Sequence, residues 1–283
     1  MLRLANWIMG GRFNALVAAA ILGFIPLIAW TSVSVVALVA LRRNAAEAVW
    51  PLAGALMAAT VQWNSGDVSH VGALLAAMAG ALVLANTRSL AMAVVVTALA
   101  AALYLAALVQ WMPERFDPVL AMFQAVFDQL KQAGEEAAFL TQIDLRQMVV
   151  ELMGLLTGVT ALAGLLLARS LQAGLYNPGG FREEFHQLRL APGVIFALML
   201  GMLLAQWLEQ ALIVAPLLLL PLILAGVGLV HGLAGLKPDN RTSLVLFYVV
   251  LVLFVGPAIM LLVAAATMDS FIDFRKRIGT ARP

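Results

Sequence analysis

Long apolar stretches, separated by short polar ones, run through almost the whole sequence. Eight of them fall at residues 14–41, 48–63, 70–86, 90–110, 148–171, 192–209, 211–233 and 243–268. A membrane-crossing helix needs roughly 20 residues, with a range of about 17–25. Long runs without strict alternation favour helices over a transmembrane β-barrel. The pattern predicts an all-α, polytopic transmembrane helix bundle that forms a single integral membrane domain over residues 1–283.

Prolines interrupt the first and last of these segments. Pro26 lies within 14–41 and Pro257 lies within 243–268. Proline removes a helical hydrogen bond and clashes with the preceding turn. Each of the two segments is therefore either one kinked helix or a tight pair of shorter helices.

The longest stretch between apolar segments, 111–147, contains its own amphipathic pattern. Asp117-Pro118 is a helix-start signal, because Asp caps a helix and proline suits its first position. Apolar residues then recur on one helical face: Val119, Leu120, Phe123, Val126, Phe127 and Leu130. The pattern predicts an amphipathic helix over 118–133 that lies on the membrane or over the mouth of the bundle.

A second short helix is predicted within 174–191. The sequence Asn177-Pro178-Gly179-Gly180 marks a turn that ends the preceding helix. Phe181, Phe185 and Leu188 follow on one face, and charged residues occupy the other faces. This spacing predicts an interfacial helix with its apolar side against lipid or the bundle.

Composition strengthens the membrane assignment and excludes several classes of protein. Hydrophobic residues make up 63% of the 283 residues and charged residues only 11%, against roughly 25% in a soluble domain. The sequence contains no cysteine, which excludes disulfides and thiolate metal sites. Lysine and arginine lie at segment ends, so the net charge of +2 reports membrane orientation rather than nucleic-acid binding.

The distribution of charge also predicts an orientation. If the six middle segments each cross once, the basic residues that share one side are Arg42, Arg43, Arg88, Arg169, Arg182, Arg189, Lys237 and Arg241. The other side then holds 111–147, with three basic and six acidic residues. The positive-inside rule makes 174–191 cytoplasmic and 111–147 extracytoplasmic, in a bacterial inner membrane. Arg3 and Arg12 join the basic side only if 14–41 turns back, and 275–277 only if the last segment reverses.

Polar residues near the extracytoplasmic side are the candidate ligand-binding residues, because polar groups at membrane depth are expensive. They are Trp63, Asn64, Glu151, Gln206, Trp207 and Glu209. Tryptophan and glutamine beside a carboxylate suit a small-molecule pocket. The alternative is that the tryptophans are ordinary interfacial residues and Glu209 is a solvated loop acid.

Two charged stretches are the candidate partner-docking surfaces. Their residues are Arg182, Glu183, His186 and Arg189 in GGFREEFHQLRL, and Asp273, Arg275 and Arg277 in DSFIDFRKR. In the second stretch, the i, i+4 spacing from Asp269 to Asp273 and on to Arg277 predicts one continuous helical face. The alternative is a solvated helix and a basic anchor in lipid headgroups. The sequence predicts no catalytic constellation, metal site or cofactor.

These motifs resemble a known family. The proline-broken first segment ending in LRRN, then GGFREEFHQLRL, GLVHGL and DSFIDFRKR, is similar to the YybS-like bacterial membrane proteins of unknown function. That resemblance implies a fold related to the S components of energy-coupling-factor vitamin transporters. It also implies an outward-opening ligand pocket and a first helix of small residues that docks to a partner. Ala15, Ala19 and Gly23 provide such a face.

Two functional hypotheses follow. The first is a small-solute or lipid-binding transport subunit similar to an S component. The second is a structural or assembly protein that recruits cytoplasmic or membrane partners and binds no solute. A membrane enzyme comes third, because no motif singles it out. Membrane lipid is an expected partner in every case, and nucleic acid in none.

Overall fold

The structure is a computed structural model that describes residues 1–132, 144–207, 213–236 and 240–280. Within those ranges the chain is all-helical and no strand occurs. The helices are α1 (Leu2–Met9), α2 (Arg12–Phe24), α3 (Trp30–Arg42), α4 (Ala45–Asn64), α5 (Ser69–Thr87), α6 (Leu90–Trp111), α7 (Asp117–Gln132), α8 (Leu145–Tyr176), α9 (Gly180–His186), α10 (Pro192–Ala205), α11 (Ala215–Gly235), α12 (Asn240–Leu253), α13 (Val255–Ile272) and α14 (Phe274–Thr280). Two 3₁₀ turns, Pro26–Ile28 and Pro113–Phe116, precede α3 and α7.

Five helices in the described ranges are long and apolar enough to cross a membrane: α5, α6, α8, α11 and α13. The predicted all-α class is confirmed for the described residues, and these five helices have the length and composition of membrane spans. The number of such helices is smaller than the number of apolar segments, because several segments form shorter helices. The apolar helices α2, α3, α10 and α12 fall short of the length that a span requires.

The first proline-broken segment forms a pair of helices rather than one kinked helix. Ile25 is extended, as expected for a residue before proline, and a 3₁₀ turn follows from Pro26. Arg12 at the start of α2 and Arg43 after α3 both bind Glu47. The two helices are therefore antiparallel, and the segment turns back on itself.

The last segment is also divided. The break is at Phe254, between α12 and α13, and Pro257 falls in the first turn of α13, where proline is tolerated. A Cβ at Gly226 in α11 would meet the Leu262 backbone, and one at Gly232 would meet Arg275. Helix α13 therefore runs parallel to α11 and brings the C-terminal charges back to the end where α11 finishes.

Helices α2 to α8 pack through small residues. At Gly54 in α4 a Cβ would overlap the Leu16 carbonyl oxygen of α2, so the two backbones touch. The same close approach occurs between Gly80 of α5 and Thr97 of α6. Small residues permit this contact, which drives helix association in lipid. The alanine and glycine of these segments are thus the packing surface of the bundle.

The buried polar side chains of this part of the bundle bond to one another or to the backbone. Ser32 Oγ of α3 lies 3.0 Å from His70 Nε2 of α5. The Tyr104 hydroxyl donates to the Val68 carbonyl over 2.7 Å. Thr97 and Thr157 donate to the carbonyls four residues earlier in their own helices. These bonds satisfy the groups in place, so they stabilise the core.

Residues 117–132, which cover most of the amphipathic helix predicted over 118–133, form α7. Of its predicted apolar face, Val126 is exposed and the other five residues are partly buried. Arg146 of α8 holds the start of α7 by binding Asp117 at 3.0 Å and the Pro113 carbonyl at 2.9 Å. Residue 133, the last of the predicted range, lies outside the described residues.

Several arginines gather at one end of the bundle, which we call the basic end. Arg12 and Arg43 reach it from α2 and α3, Arg169 from α8, and Arg189 and Arg275 from the C-terminal third. The short helices α1, α9 and α14 lie there too. Arg43 donates to the last carbonyl of α1, at Met9, over 2.7 Å. Residues 275–277 therefore lie on the side of the other basic residues, as expected if the last segment turns back.

Candidate functional site

The two charged stretches of the sequence contact each other at the basic end. Arg189 donates to the Asp273 carboxylate at 3.0 Å and to the Ser270 carbonyl at 2.8 Å. Ser270 Oγ returns a hydrogen bond of 2.9 Å to the Leu190 carbonyl. The segment after α9 is therefore tied to the end of α13 by both side chains and backbone.

A buried ion pair completes this junction. Arg275 donates to the Asp269 carboxylate at 2.6 Å and to the Leu188 carbonyl at 2.9 Å. Asp269 is only 1% exposed. Burial lowers the pKa of Arg275, and the Asp269 carboxylate opposes that shift. We call the contacts of Arg189, Asp269, Ser270, Asp273 and Arg275 the charged junction.

The continuous helical face predicted through Asp269, Asp273 and Arg277 is wrong. Asp273 adopts the left-handed conformation, with φ 56°, and ends α13. The Asp269 carboxylate accepts the Phe274 backbone N–H at 2.9 Å, which fixes the start of α14 across the break. The reversal points Arg275 back at Asp269, which a continuous helix would not do.

Glycines on α11 make room for the segment that carries these charges. A Cβ at Gly228 would meet the Phe185 carbonyl oxygen at 2.9 Å, and one at Gly232 would meet the His186 carbonyl oxygen at 2.5 Å. The backbone of residues 185–188 therefore rests directly on α11. This close backbone contact explains why the GLVHGL motif has glycine at both positions.

A second buried arginine holds α9 from the other side. Arg169 of α8 is 7% exposed and forms a two-point ion pair with Glu184, with its Nε 2.8 Å from Oε2. Arg169 also donates to Gln172 at 3.0 Å. Helix α9, although it has only seven residues, is thus fixed to α8 and α11, and the segment after it is tied to α13.

The predicted docking residues divide into two groups. Arg189, Asp273 and Arg275 are used inside the protein, in the charged junction. Arg182 and Glu183 are exposed on α9, and Arg277 donates to the Ile272 carbonyl at 3.1 Å. Docking of a partner stays a prediction, and the exposed Arg182 and Glu183 are the residues available for it.

A polar cavity of about 400 Å³ opens beside α9. It is lined by Arg182, His186, His231 and Leu244. The rings of His186 and His231 lie 6.3 Å apart, and His231 Nε2 lies 2.8 Å from the Tyr248 hydroxyl. The cavity therefore combines a permanent cation with two imidazoles that bond as donors or acceptors.

An apolar groove of about 830 Å³ lies along α12, next to this cavity. Leu244 lines both spaces. The other lining residues of the groove also belong to α12, and they are Arg241, Val245, Tyr248, Val249, Val252 and Leu253. We call this space the α12 groove. Its shape and polarity suit an amphiphile with a long apolar part and a negatively charged end.

The electrostatics of the cavity favour an anion. Burial, and next the neighbouring Arg182, His231 and Arg275, lower the pKa of His186 below the ordinary value of 6.5. The imidazole is therefore neutral at pH 7 in the empty cavity. An anion bound beside it would favour its protonated form and gain a further positive charge.

The residues predicted for an outer ligand pocket lie at the end opposite the basic end, on the ends of α4, α8 and α10. The Arg115 guanidinium stacks over the Trp63 ring at 5.4 Å, and Glu151 accepts a 2.8 Å bond from Gln147. Asn64, Gln206 and Trp207 are exposed. Glu209 lies outside the described residues. The Trp63 contact joins α4 to the Pro113–Phe116 turn and the Glu151 contact lies within α8, so a pocket shared by these residues stays a prediction.

Sequence reasoning missed the cavity on α12. His186 and His231 are 45 residues apart in the sequence, so no local pattern links the two side chains. The groove residues follow the i, i+4 spacing of α12, but that spacing is hidden in a segment that is apolar on every side. The polar residues of this segment, Arg241 and Tyr248, are the signal in the sequence that could have indicated the cavity.

Comparison with protein-family models, with curated proteins and with solved structures found no match for this chain. The similarity to the YybS-like proteins therefore rests on the motifs quoted above. Among the described residues, no three His, Asp or Glu side chains are grouped closely enough to hold a metal ion. The site is defined by its own geometry, which is a polar, cation-lined cavity at the end of an apolar groove.

Proposed function

We propose that the protein is a subunit of a bacterial inner-membrane transport system that binds an anionic lipid. The acyl chains occupy the α12 groove and the headgroup occupies the polar cavity beside Arg182. This is the lipid-binding form of the transport hypothesis drawn from the sequence.

The orientation follows from the basic end. Arginines from α2, α3, α8 and the C-terminal third lie together there, and the positive-inside rule assigns such an end to the cytoplasm. Helices α9 and α14 are then cytoplasmic and α7 is extracytoplasmic. The inner leaflet, which faces the cytoplasm, would supply the ligand.

The single observation that carries the proposal is that Leu244 lines both the polar cavity and the α12 groove. A small polar solute has no apolar part that would fill a long apolar groove. The acyl chains of a lipid fill it and place no polar group there. An arginine near the membrane surface contributes about 1 kcal/mol toward binding an anionic lipid. This difference corresponds to about fivefold in affinity.

The alternative of an assembly protein without a ligand loses part of its basis. Three of the residues on which it depends form ion pairs inside the protein, and these are Arg189, Asp273 and Arg275. The transport role itself is supported by the resemblance to S components and by the presence of a ligand-sized cavity.

The test is native mass spectrometry of the full chain in detergent, with phosphatidylglycerol or phosphatidylcholine added. We expect the wild type to retain phosphatidylglycerol about fivefold better than phosphatidylcholine. Leu244→Trp fills the space between groove and cavity and should remove that preference. Leu103→Trp, at an exposed position of α6, is the matched control and should retain it. Equal retention of the two lipids, or full binding by Leu244→Trp, would overturn the proposal.

A further inference from the structure

A second cavity at the basic end has a different chemistry from the α12 groove. It has a volume of about 380 Å³ and lies where α3, α5 and α8 end, next to α9. Its polar lining comes from Arg42, Arg88, Arg169, Gln172, Asn177 and Glu184. We call it the arginine cavity.

The lining carries more positive than negative charge. Three arginines face one carboxylate, and Glu184 neutralises only Arg169. The ends of three helices add partial negative charge, which is weak at exposed positions and falls off within one turn. Two guanidinium groups are thus left to bind an anion, and guanidinium matches phosphate in shape and in hydrogen bonding.

Two of the arginines are already held in position. Arg169 is fixed by Glu184 and Gln172. The Arg42 guanidinium lies 4.3 Å from the centre of the Tyr176 ring. Side chains that are ordered before binding lose less conformational entropy when a ligand arrives.

Arg88 supplies an independent observation. It ends α5 in the left-handed conformation, with φ 55°, a position where glycine or asparagine is usual. Within the described ranges its guanidinium has no hydrogen bond or ion pair, although it lines the cavity. Such strained residues cluster at ligand sites, where the side chain offsets the conformational cost.

We propose that the arginine cavity binds a phosphate group through Arg42 and Arg88, beside the Arg169–Glu184 pair. The phosphate belongs either to a lipid headgroup or to a soluble phosphorylated compound. This site is separate from the α12 groove and does not depend on the function proposed for it.

The experiment uses the full chain carrying Leu244→Trp, so that lipid in the α12 groove does not contribute. Thermal unfolding is measured with inorganic phosphate against chloride at equal ionic strength. Phosphatidylglycerol binding is measured by native mass spectrometry. The test variant is Arg88→Asn, and Arg3→Gln is the control that removes one exposed positive charge from α1 at the same end.

Asparagine tolerates the left-handed conformation, so Arg88→Asn should unfold at the same or a higher temperature without ligand. It should also bind phosphate about tenfold more weakly, because one charged hydrogen-bond donor is lost. Saturable stabilisation by inorganic phosphate that Arg88→Asn loses identifies a soluble ligand. Loss of bound phosphatidylglycerol alone identifies a headgroup.

Two results would overturn the proposal. One is that neither probe binds the parent protein better than Arg88→Asn. The other is that Arg3→Gln weakens binding as much as Arg88→Asn, since the effect would then come from overall charge. Unchanged binding with a lower unfolding temperature in Arg88→Asn would make Arg88 a helix cap and nothing more.

Discussion

Helices α2 to α8 and helices α9 to α14 are held together by different interactions. In the first region the helices touch through glycine and alanine, as at Gly54 and Gly80. In the second region arginines reach between elements and bind both carboxylates and backbone carbonyls. Both regions lie in one apolar chain, so the difference does not come from overall composition.

The reason lies in the backbone of residues 187–191, which is not helical. Inside a helix every carbonyl has a partner, whereas an irregular segment leaves carbonyls that need donors. Arg275 binds the Leu188 carbonyl and Ser270 binds the Leu190 carbonyl. The charges of the second region therefore stabilise an irregular backbone. In the first region the arginine bonds to backbone carbonyls lie at helix ends, at Met9 and Pro113, and the helix interiors are regular.

The largest expected effect comes from breaking the charged junction. Asp269→Asn keeps the size of the side chain and leaves the Arg275 guanidinium without its counter-charge. Breaking a buried ion pair costs about 3–5 kcal/mol of the free energy of unfolding. Because Arg275 is partly exposed, we expect the lower value, about 3 kcal/mol. The free energy of unfolding, measured by denaturant titration in micelles, checks this value.

Two further variants sharpen that measurement. Replacing both partners, with Asp269→Leu and Arg275→Met, should cost less than Asp269→Asn alone, because no charge is left buried. Glu183→Gln removes an exposed charge on α9 and should change stability by less than about 0.5 kcal/mol. A loss in Asp269→Asn no larger than in Glu183→Gln would mean that the junction does not hold this region together.

A smaller loss is expected from the first region on adding one methyl group. Gly54→Ala places a Cβ against the Leu16 carbonyl oxygen and forces α2 and α4 apart. Overpacking of this kind costs about 1–3 kcal/mol. The measurement is again the free energy of unfolding in micelles.

Gly201→Ala in α10 is the matched control. Its new Cβ would meet only Leu218, at 3.4 Å, so the change should be neutral or stabilising by about 0.5–1 kcal/mol. If both variants behaved alike, the close approach of α2 and α4 would not contribute to stability, and the contrast between the two regions would fail.

The sequence predicted the elements that depend on local pattern. The apolar face of α7 follows helical spacing, and the break near Pro26 follows from the geometry of proline. The left-handed Asp273 was not predictable in this way, because its spacing from Asp269 and Arg277 fits a continuous helix. Arg189 and Asp273 are 84 residues apart, and single-sequence patterns carry no signal for such a pair. The cavity between His186 and His231 was missed for the same reason.

The smallest effect concerns pH and should separate the two regions again. The pKa of His186 is lowered by burial and by Arg182 on its own helix, His231 on α11 and Arg275 on α14. The unfolded chain therefore takes up a proton at a higher pH than the folded protein does. The stability that His186 contributes is complete above pH 6.5 and is lost as the pH falls through its lower, folded pKa. His186 is partly exposed, so the loss is modest.

Hydrogen exchange of the backbone, corrected for its intrinsic pH dependence, locates this loss. Between pH 7.5 and 5.5, exchange in α9 and the segment that follows it should increase, while exchange in α2 and α4, which contain no histidine, should change little. His186→Gln should remove most of the increase, since glutamine does not titrate. An equal increase in α2 and α4, or a full increase in His186→Gln, would show that acid acts elsewhere. Added phosphatidylglycerol should oppose the increase in the wild type, because an anion in the polar cavity raises the pKa of His186 and so favours the protonated, folded state.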